Sequence, residues 1–200
     1  MVQGIATLGA MLVYKEFIGA IGVVIALLAY AIYFHDIFFR HTKPHAFSWL
    51  VWTLLAGIGF AAQVTGGAGA GSWVLGIDAV VCSGIFIVAL VRGERGYVWI
   101  DWISLALALF SILLWQVTGT PVLSVILLCL IDVLAYVPTF RKSFFKPREE
   151  SMTAFVLFSL KFILVLLALE RYSIATALYP AWIIVLNVGF VGMLWWRRKI

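Results

Sequence analysis

The chain is 200 residues long, 64% hydrophobic and only 12% charged, with a mean hydropathy of +1.11. A soluble domain of that length cannot hide so much apolar surface, so lipid is the expected solvent. The formal charge of +5 lies in short clusters between apolar runs rather than in one continuous stripe, so no nucleic-acid partner is expected.

In chain order, Met1 to Tyr14 is apolar but lacks the early Lys or Arg of a secretory signal. At about 1.5 Å per residue it is too short to cross about 30 Å of hydrocarbon. Residues 1–16 are therefore expected to be an interfacial segment on the external face. Seven apolar runs follow, each near the length of a membrane span: Phe17–Phe39, Ala46–Val64, Ser72–Val91, Tyr97–Val117, Pro121–Phe140, Met152–Leu169 and Ile174–Trp196. The run Gly66-Gly67-Ala68-Gly69-Ala70-Gly71 and the run Thr118-Gly119-Thr120-Pro121 read as uncharged tight connections. Residues 197–200 form a basic tail. Cys82 and Cys129 both lie inside apolar runs, which suggests small buried hydrophobes rather than a disulfide or a redox centre.

Sorting basic residues by loop predicts orientation. Eleven Lys and Arg fall in the loops at 40–45, 92–96 and 141–150 and in the tail, against Lys15 and Arg171 on the other side. This bias predicts an external N-terminus and a cytoplasmic C-terminus in a plasma membrane, a bacterial inner membrane by expectation. Tryptophans agree: Trp49, Trp52, Trp99, Trp102, Trp195 and Trp196 read as the cytoplasmic belt, and Trp73 and Trp115 as the outer one.

The stretch Tyr33 to Ser48 aligns without a gap on Tyr136 to Ser151, with Tyr33/Tyr136, Lys43/Lys146, Pro44/Pro147 and Ser48/Ser151 identical. The same offset maps the first three runs onto the last three, both triplets starting outside. A parallel duplication needs an odd number of connecting spans, which the fourth run supplies. The predicted fold is an all-α polytopic membrane protein with seven transmembrane helices arranged three, one, three. Residues 17–92 form the first repeat, 97–117 the linker helix and 121–196 the second repeat.

This arrangement, together with Tyr136-Val137-Pro138-Thr139-Phe140-Arg141-Lys142, resembles the SWEET and PQ-loop transporters, whose Tyr-x-Pro-Gln-x-x-Lys element stands near a helix end. The layout is also similar to that of the bacterial nicotinamide riboside transporters. Thr139 stands in place of the family's Gln, and the first copy reads His35-Asp36 where Pro-Gln would stand. Asn187 falls in the last helix, where family members often place a substrate-facing Asn, and Gly84 occupies the matching position of the first half. The resemblance implies a carrier, with no cofactor and no catalytic residues.

Ionisable groups inside spans are costly and ask for a reason. Asp132, Lys161 and Asn187 are placed near the midplane by counting from the helix ends, and Asp78 nearer the outside. Asp132 and Lys161 read either as a static ion pair or as a site in which Asp132 takes up a proton or contacts a polar solute. Trp182 could stack on a ring whose polar edge Asn187 bonds. These five are the candidate solute-binding residues. Pro138 removes a hydrogen bond to the carbonyl of Leu134, and with Tyr136, Tyr33, His35 and Asp36 it is a gating candidate. Pro180 is expected to kink the last helix near Thr176. Asp101 reads as a solvated helix-end residue.

The leading expectation is a facilitator or proton-coupled carrier of a small polar solute such as a sugar, vitamin or nucleoside-like molecule. Its partners would be the bilayer, the solute and, where coupled, protons. An intramembrane hydrolase or transferase using a metal on His35, Asp36, His41 and His45 is an alternative, as is a non-transporting receptor. Two triplets in one chain make a complete pore, so a monomer suffices, and a homo-oligomer stays compatible with the sequence.

Overall fold

A computed structural model describes residues 2–118 and 121–200, with the side chains of 2–11, 111–112, 114–116, 118, 121–124 and 175 left aside. The described residues are all-helical, with no strand. The seven α-helices are α1 (Val2–Phe39), α2 (Ala46–Thr65), α3 (Trp73–Arg92), α4 (Trp99–Thr118), α5 (Pro121–Phe145), α6 (Met152–Ala168) and α7 (Ile174–Arg197), with short 3-10 turns at Gly69–Ser72 and Pro147–Glu149. Most boundaries match the apolar runs within one or two residues, because charge and glycine clusters end both. Two do not. α1 continues through the expected interfacial segment to Val2, since nothing in residues 2–16 breaks a helix. α5 continues five residues beyond Phe140, because Arg141 and Lys142 are good helix formers and find partners there.

Four stretches are long and apolar enough to cross a membrane: Leu12–Phe39, Ala46–Thr65, Gly69–Arg92 and Thr176–Arg197. Trp99–Phe110 of α4 and Met152–Ala168 of α6 are shorter apolar stretches. α5 and α7 are continuous helices through Pro138 and Pro180. The connection at Thr118-Gly119-Thr120-Pro121 and the side chain of Trp115 lie outside the described residues.

Packing follows a regular scheme. α3 lies against both α1 and α2, and α7 against both α5 and α6. α1 also packs on α6, and α2 on α5, while α4 lies along α5. The shared core is aromatic: Phe155 stacks edge-on to Phe190 at 4.5 Å, and Tyr33 lies 4.9 Å from Trp49. The glycine run makes its turn with Gly67 and Gly69 at φ of 73° and 57°, conformations that carry a steric cost for any residue with a Cβ.

Capping is explicit at the two last helices. Ser151 caps α6 by accepting from the Ala154 N–H, and Ser173 with Thr176 forms a reciprocal box at α7. At the end of α3, Gly93 lets the chain turn back so that the Glu94 N–H donates to the Pro44 carbonyl at 3.0 Å. A Cβ there would sit 2.4 Å from both the Pro44 and Ala89 carbonyl oxygens, and both are backbone. Gly93→Ala is therefore expected to lose about 1–3 kcal/mol in chemical or thermal unfolding. An unchanged midpoint would show that the turn relaxes freely.

Candidate functional site

The helices converge on one cavity of about 60 Å³ in the middle of the bundle, room for about four or five waters. Five of the predicted residues line it: Asp78 on α3, Asp132 and Tyr136 on α5, Lys161 on α6 and Asn187 on α7. Tyr30, Trp49, Trp52, Cys82 and Tyr179 line it as well, and aliphatic and phenylalanine side chains complete the walls.

The expected Asp132–Lys161 pair does not form. Lys161 reaches Asp78 instead, Nζ to Oδ1 at 2.6 Å, and Tyr30 donates to the same oxygen at 2.8 Å. α6 faces α1 and α3 at this level, so the carboxylate within reach comes from α3, not α5. Three rings wrap the ammonium, with centroids at 4.5 Å for Tyr30, 4.7 Å for Phe158 and 4.9 Å for Phe162. Charge and rings together make this a satisfied buried ammonium.

Asp132 is 1% exposed and has no cation beside it among the described residues. Its Oδ1 accepts from the Trp52 indole N–H at 3.0 Å, and its Oδ2 has no hydrogen-bond partner among the described residues. Trp52 was expected in an interface belt, as was Trp49. The structure puts both at the cavity, with Trp49 only 2% exposed, because depth along a helix says nothing about which face a side chain occupies. Trp99, Trp102, Trp195, Trp196 and Trp73 are exposed. On α7, the Asn187 Oδ1 accepts from the Tyr136 hydroxyl. Trp182 is not at the cavity: its indole N–H donates to the Cys129 carbonyl at 3.1 Å, making it a tie between α7 and α5.

Of the gating candidates, Tyr136 lines the cavity, while Tyr33, His35 and Asp36 lie at the end that carries the basic loops. Tyr33 donates to Glu150 Oε1 at 2.8 Å, and Lys142 reaches Glu150 Oε2 at 2.5 Å and the Lys43 carbonyl at 2.8 Å. Both members of that ion pair are buried. Two further bonds cross between the halves: Ser151 to Asp36, and Thr139 to Ser48 at 2.9 Å. Asp36 and Thr139 occupy matching positions of the aligned stretches, as do Ser48 and Ser151. Each half thus lends its serine to the other. His35 is largely exposed and only approaches Asp36, at 3.4 Å.

Asp101 is a correction. Rather than being solvated it is fully buried, held by Arg141 through Nε at 3.0 Å and a second guanidinium nitrogen at 2.7 Å. Arg141, forty residues away in the chain, is what neutralises it. His45 is buried beside it, with Nε2 3.4 Å from Asp101 but neither ring nitrogen hydrogen-bonded among the described residues. Among the described residues no group of three or more His, Cys, Asp or Glu converges as metal ligands would: His35 approaches Asp36, and His45 lies apart from them against Asp101.

Burial pushes His45 down from 6.5 to about 4 despite the neighbouring Asp101 carboxylate. The unfolded chain therefore binds the extra proton first as the pH falls. The stability from keeping this ring neutral is complete above pH 6.5 and is lost as the pH drops towards 4, to the extent of about 3 kcal/mol. His45→Phe gives up no hydrogen bond and should flatten the melting-temperature slope across that window. A slope equal to that of the unaltered protein would remove His45 from the acid response.

Comparison with protein-family models, with curated proteins and with solved structures finds no match to this chain.

Proposed function

We propose that the chain is a membrane carrier, a facilitator or proton-coupled transporter, that moves a small polar solute by alternating access between two three-helix bundles. One observation carries this reading: a cavity in the middle of the bundle, its largely apolar wall holding a few buried ionisable groups, lined from α1, α2 and α3 as well as from α5, α6 and α7. Buried ionisable groups at that depth are expensive unless a solute, an ion or a proton uses them.

The packing supports the three-one-three layout. The third helix of each triplet lies between the other two, α1 meets α6 as α5 meets α2, and the crossed bonds Asp36–Ser151 and Thr139–Ser48 obey the offset of the repeat. With α4 as linker, both triplets run in the same direction, as in the SWEET-like arrangement. Tyr33, Glu150, Lys142, Asp36 and Ser151 then close the cytoplasmic end, and breaking their bonds opens it. His35 lies outside that closure, and Pro138 lies in the helix that carries Tyr136 and Lys142.

The test is uptake into proteoliposomes from a panel of sugars, amino acids, amines, nucleosides and ring-containing vitamins, with and without an imposed proton gradient. Saturable uptake of one solute class is expected, reduced about tenfold or more in Asn187→Ala, which takes away the acceptor of the buried Tyr136 hydroxyl. Uptake of every solute at the rate of protein-free vesicles would overturn the carrier reading.

A further inference from the structure

We infer that the cavity is a binding site for a small protonated amine, whose ammonium group pairs with Asp132. The inference rests on the carrier reading for its biological role but on the cavity alone for its chemistry.

Lys161, Asp78 and Asp132 all line the cavity, and Lys161 is already paired with Asp78, so Asp132 has no cationic partner among the described residues. Asp78 is satisfied, bonded by both Lys161 and Tyr30. Asp132 is the unmatched one. It is 1% exposed, lines the cavity, and its Oδ2 has no partner among the described residues. A buried carboxylate oxygen left without a donor costs about 1–3 kcal/mol or more, a cost that a donor entering the cavity removes.

The opposite wall shows which donor suits these surroundings. There an ammonium sits against a carboxylate with three aromatic faces around it, in the same cavity. Around Asp132 the carboxylate and the rings recur: Trp52 holds Oδ1, and Tyr136 lies 4.9 Å from the Trp52 ring. Only the ammonium is missing from that arrangement. A cation with a short apolar stem would complete it, its N–H groups donating to Oδ2 and its methylenes lying on the rings.

The far end of such a ligand is constrained too. Asn187 Oδ1 already accepts from the Tyr136 hydroxyl, and its amide also carries N–H donors for a ligand. A ligand that carries a hydroxyl or another acceptor besides its ammonium meets that requirement. The available space, about 60 Å³, suits a molecule of a few heavy atoms. Ethanolamine is therefore the probe, and ethylene glycol is its neutral counterpart of nearly the same shape.

The experiment is isothermal titration of the purified, detergent-solubilised protein with ethanolamine, ethylene glycol and sodium chloride at constant ionic strength. Saturable binding of ethanolamine is expected, with ethylene glycol at least about tenfold weaker, the ratio a charge-assisted hydrogen bond supplies. Asp132→Asn should lose the preference. A circular dichroism melt of Asp132→Asn that matches that of the unaltered protein separates loss of the carboxylate from loss of the fold. Equal binding of the two probes, no binding of either, an undiminished preference in Asp132→Asn, or heat from sodium alone would each overturn the inference. The two readings fail separately. Ethanolamine binding without uptake of any solute into proteoliposomes would leave the site standing and remove the carrier. Uptake of a neutral solute without ethanolamine binding would do the reverse.

Discussion

Lys161→Met alone is expected to lower the stability of the folded protein by about 3–5 kcal/mol, because it strands the Asp78 carboxylate in the middle of the bundle. Asp78 is 4% exposed and Lys161 1%, so bulk solvent does not screen the charge left behind. The rings of Tyr30, Phe158 and Phe162 present their negative faces to the ammonium and offer nothing to a bare carboxylate. The double change Asp78→Leu/Lys161→Met removes both charges and should recover most of the loss. A residue of about 1 kcal/mol would remain, since Tyr30 would keep only the Cys82 sulfur, at 3.4 Å, as a partner. Unfolding in mixed micelles, followed by circular dichroism, measures all three variants. A double variant as unstable as the sum of the single ones would mean that the two groups do not depend on each other. The corresponding double change with Asp132 should bring no such recovery, because Asp132 is not the partner of Lys161.

Lys142→Met should cost a comparable amount, about 3–5 kcal/mol, at the end of the bundle that carries the basic loops. The Lys142 ammonium donates to Glu150 Oε2, to the Lys43 carbonyl and to the Glu149 carbonyl at 3.1 Å, so one side chain ties α5 to both flanking loops. Losing it leaves Glu150 with Tyr33 and the Ser151 N–H as donors for a carboxylate that is 2% exposed. The effect should reach the cavity. Cys82 lines the cavity and is buried, so its labelling by a water-soluble thiol reagent reports opening. In a Cys129→Ala background, Lys142→Met should speed that labelling by at least about tenfold, equivalent to about 1.4 kcal/mol of easier local opening. A destabilised protein with an unchanged labelling rate would assign Lys142 to holding the fold together rather than to closing the cavity.

Both predictions turn on partners that linear spacing does not reveal. Asp132, Lys161, Asp78 and Asn187 stand out in the sequence because each interrupts an apolar run, and the cost of burying a polar group makes such interruptions conspicuous. Their depth can be counted from helix ends, and the cavity does contain all four. What counting cannot provide is azimuth. Whether Lys161 meets Asp132 or Asp78 depends on which helix α6 faces, and α6 packs on α1 and touches α3. The same gap explains the tryptophans: Trp49 and Trp52 share the depth of an interface belt but turn inward. Lys142 and Asp101 are harder still. A lysine in a loop rich in basic residues and an aspartate at a helix start both look solvated, and only the tertiary approach of Glu150 and Arg141 buries them.

The sequence by itself determined the number of helices and most of their ends, and the two aligned stretches hold the residues that the crossed bonds Asp36–Ser151 and Thr139–Ser48 join. Those features follow from local chemistry: apolar run length, glycine and charge clusters, and residue types at fixed spacing. The tertiary structure decided which charges are paired, which rings surround the Lys161 ammonium, and that one Asp132 carboxylate oxygen has no partner among the described residues. Those outcomes depend on helix rotation and on partners far apart in the chain, as with Arg141–Asp101 at 40 residues and Lys161–Asp78 at 83. Packing of whole faces sets that rotation, and no stretch of sequence carries it alone.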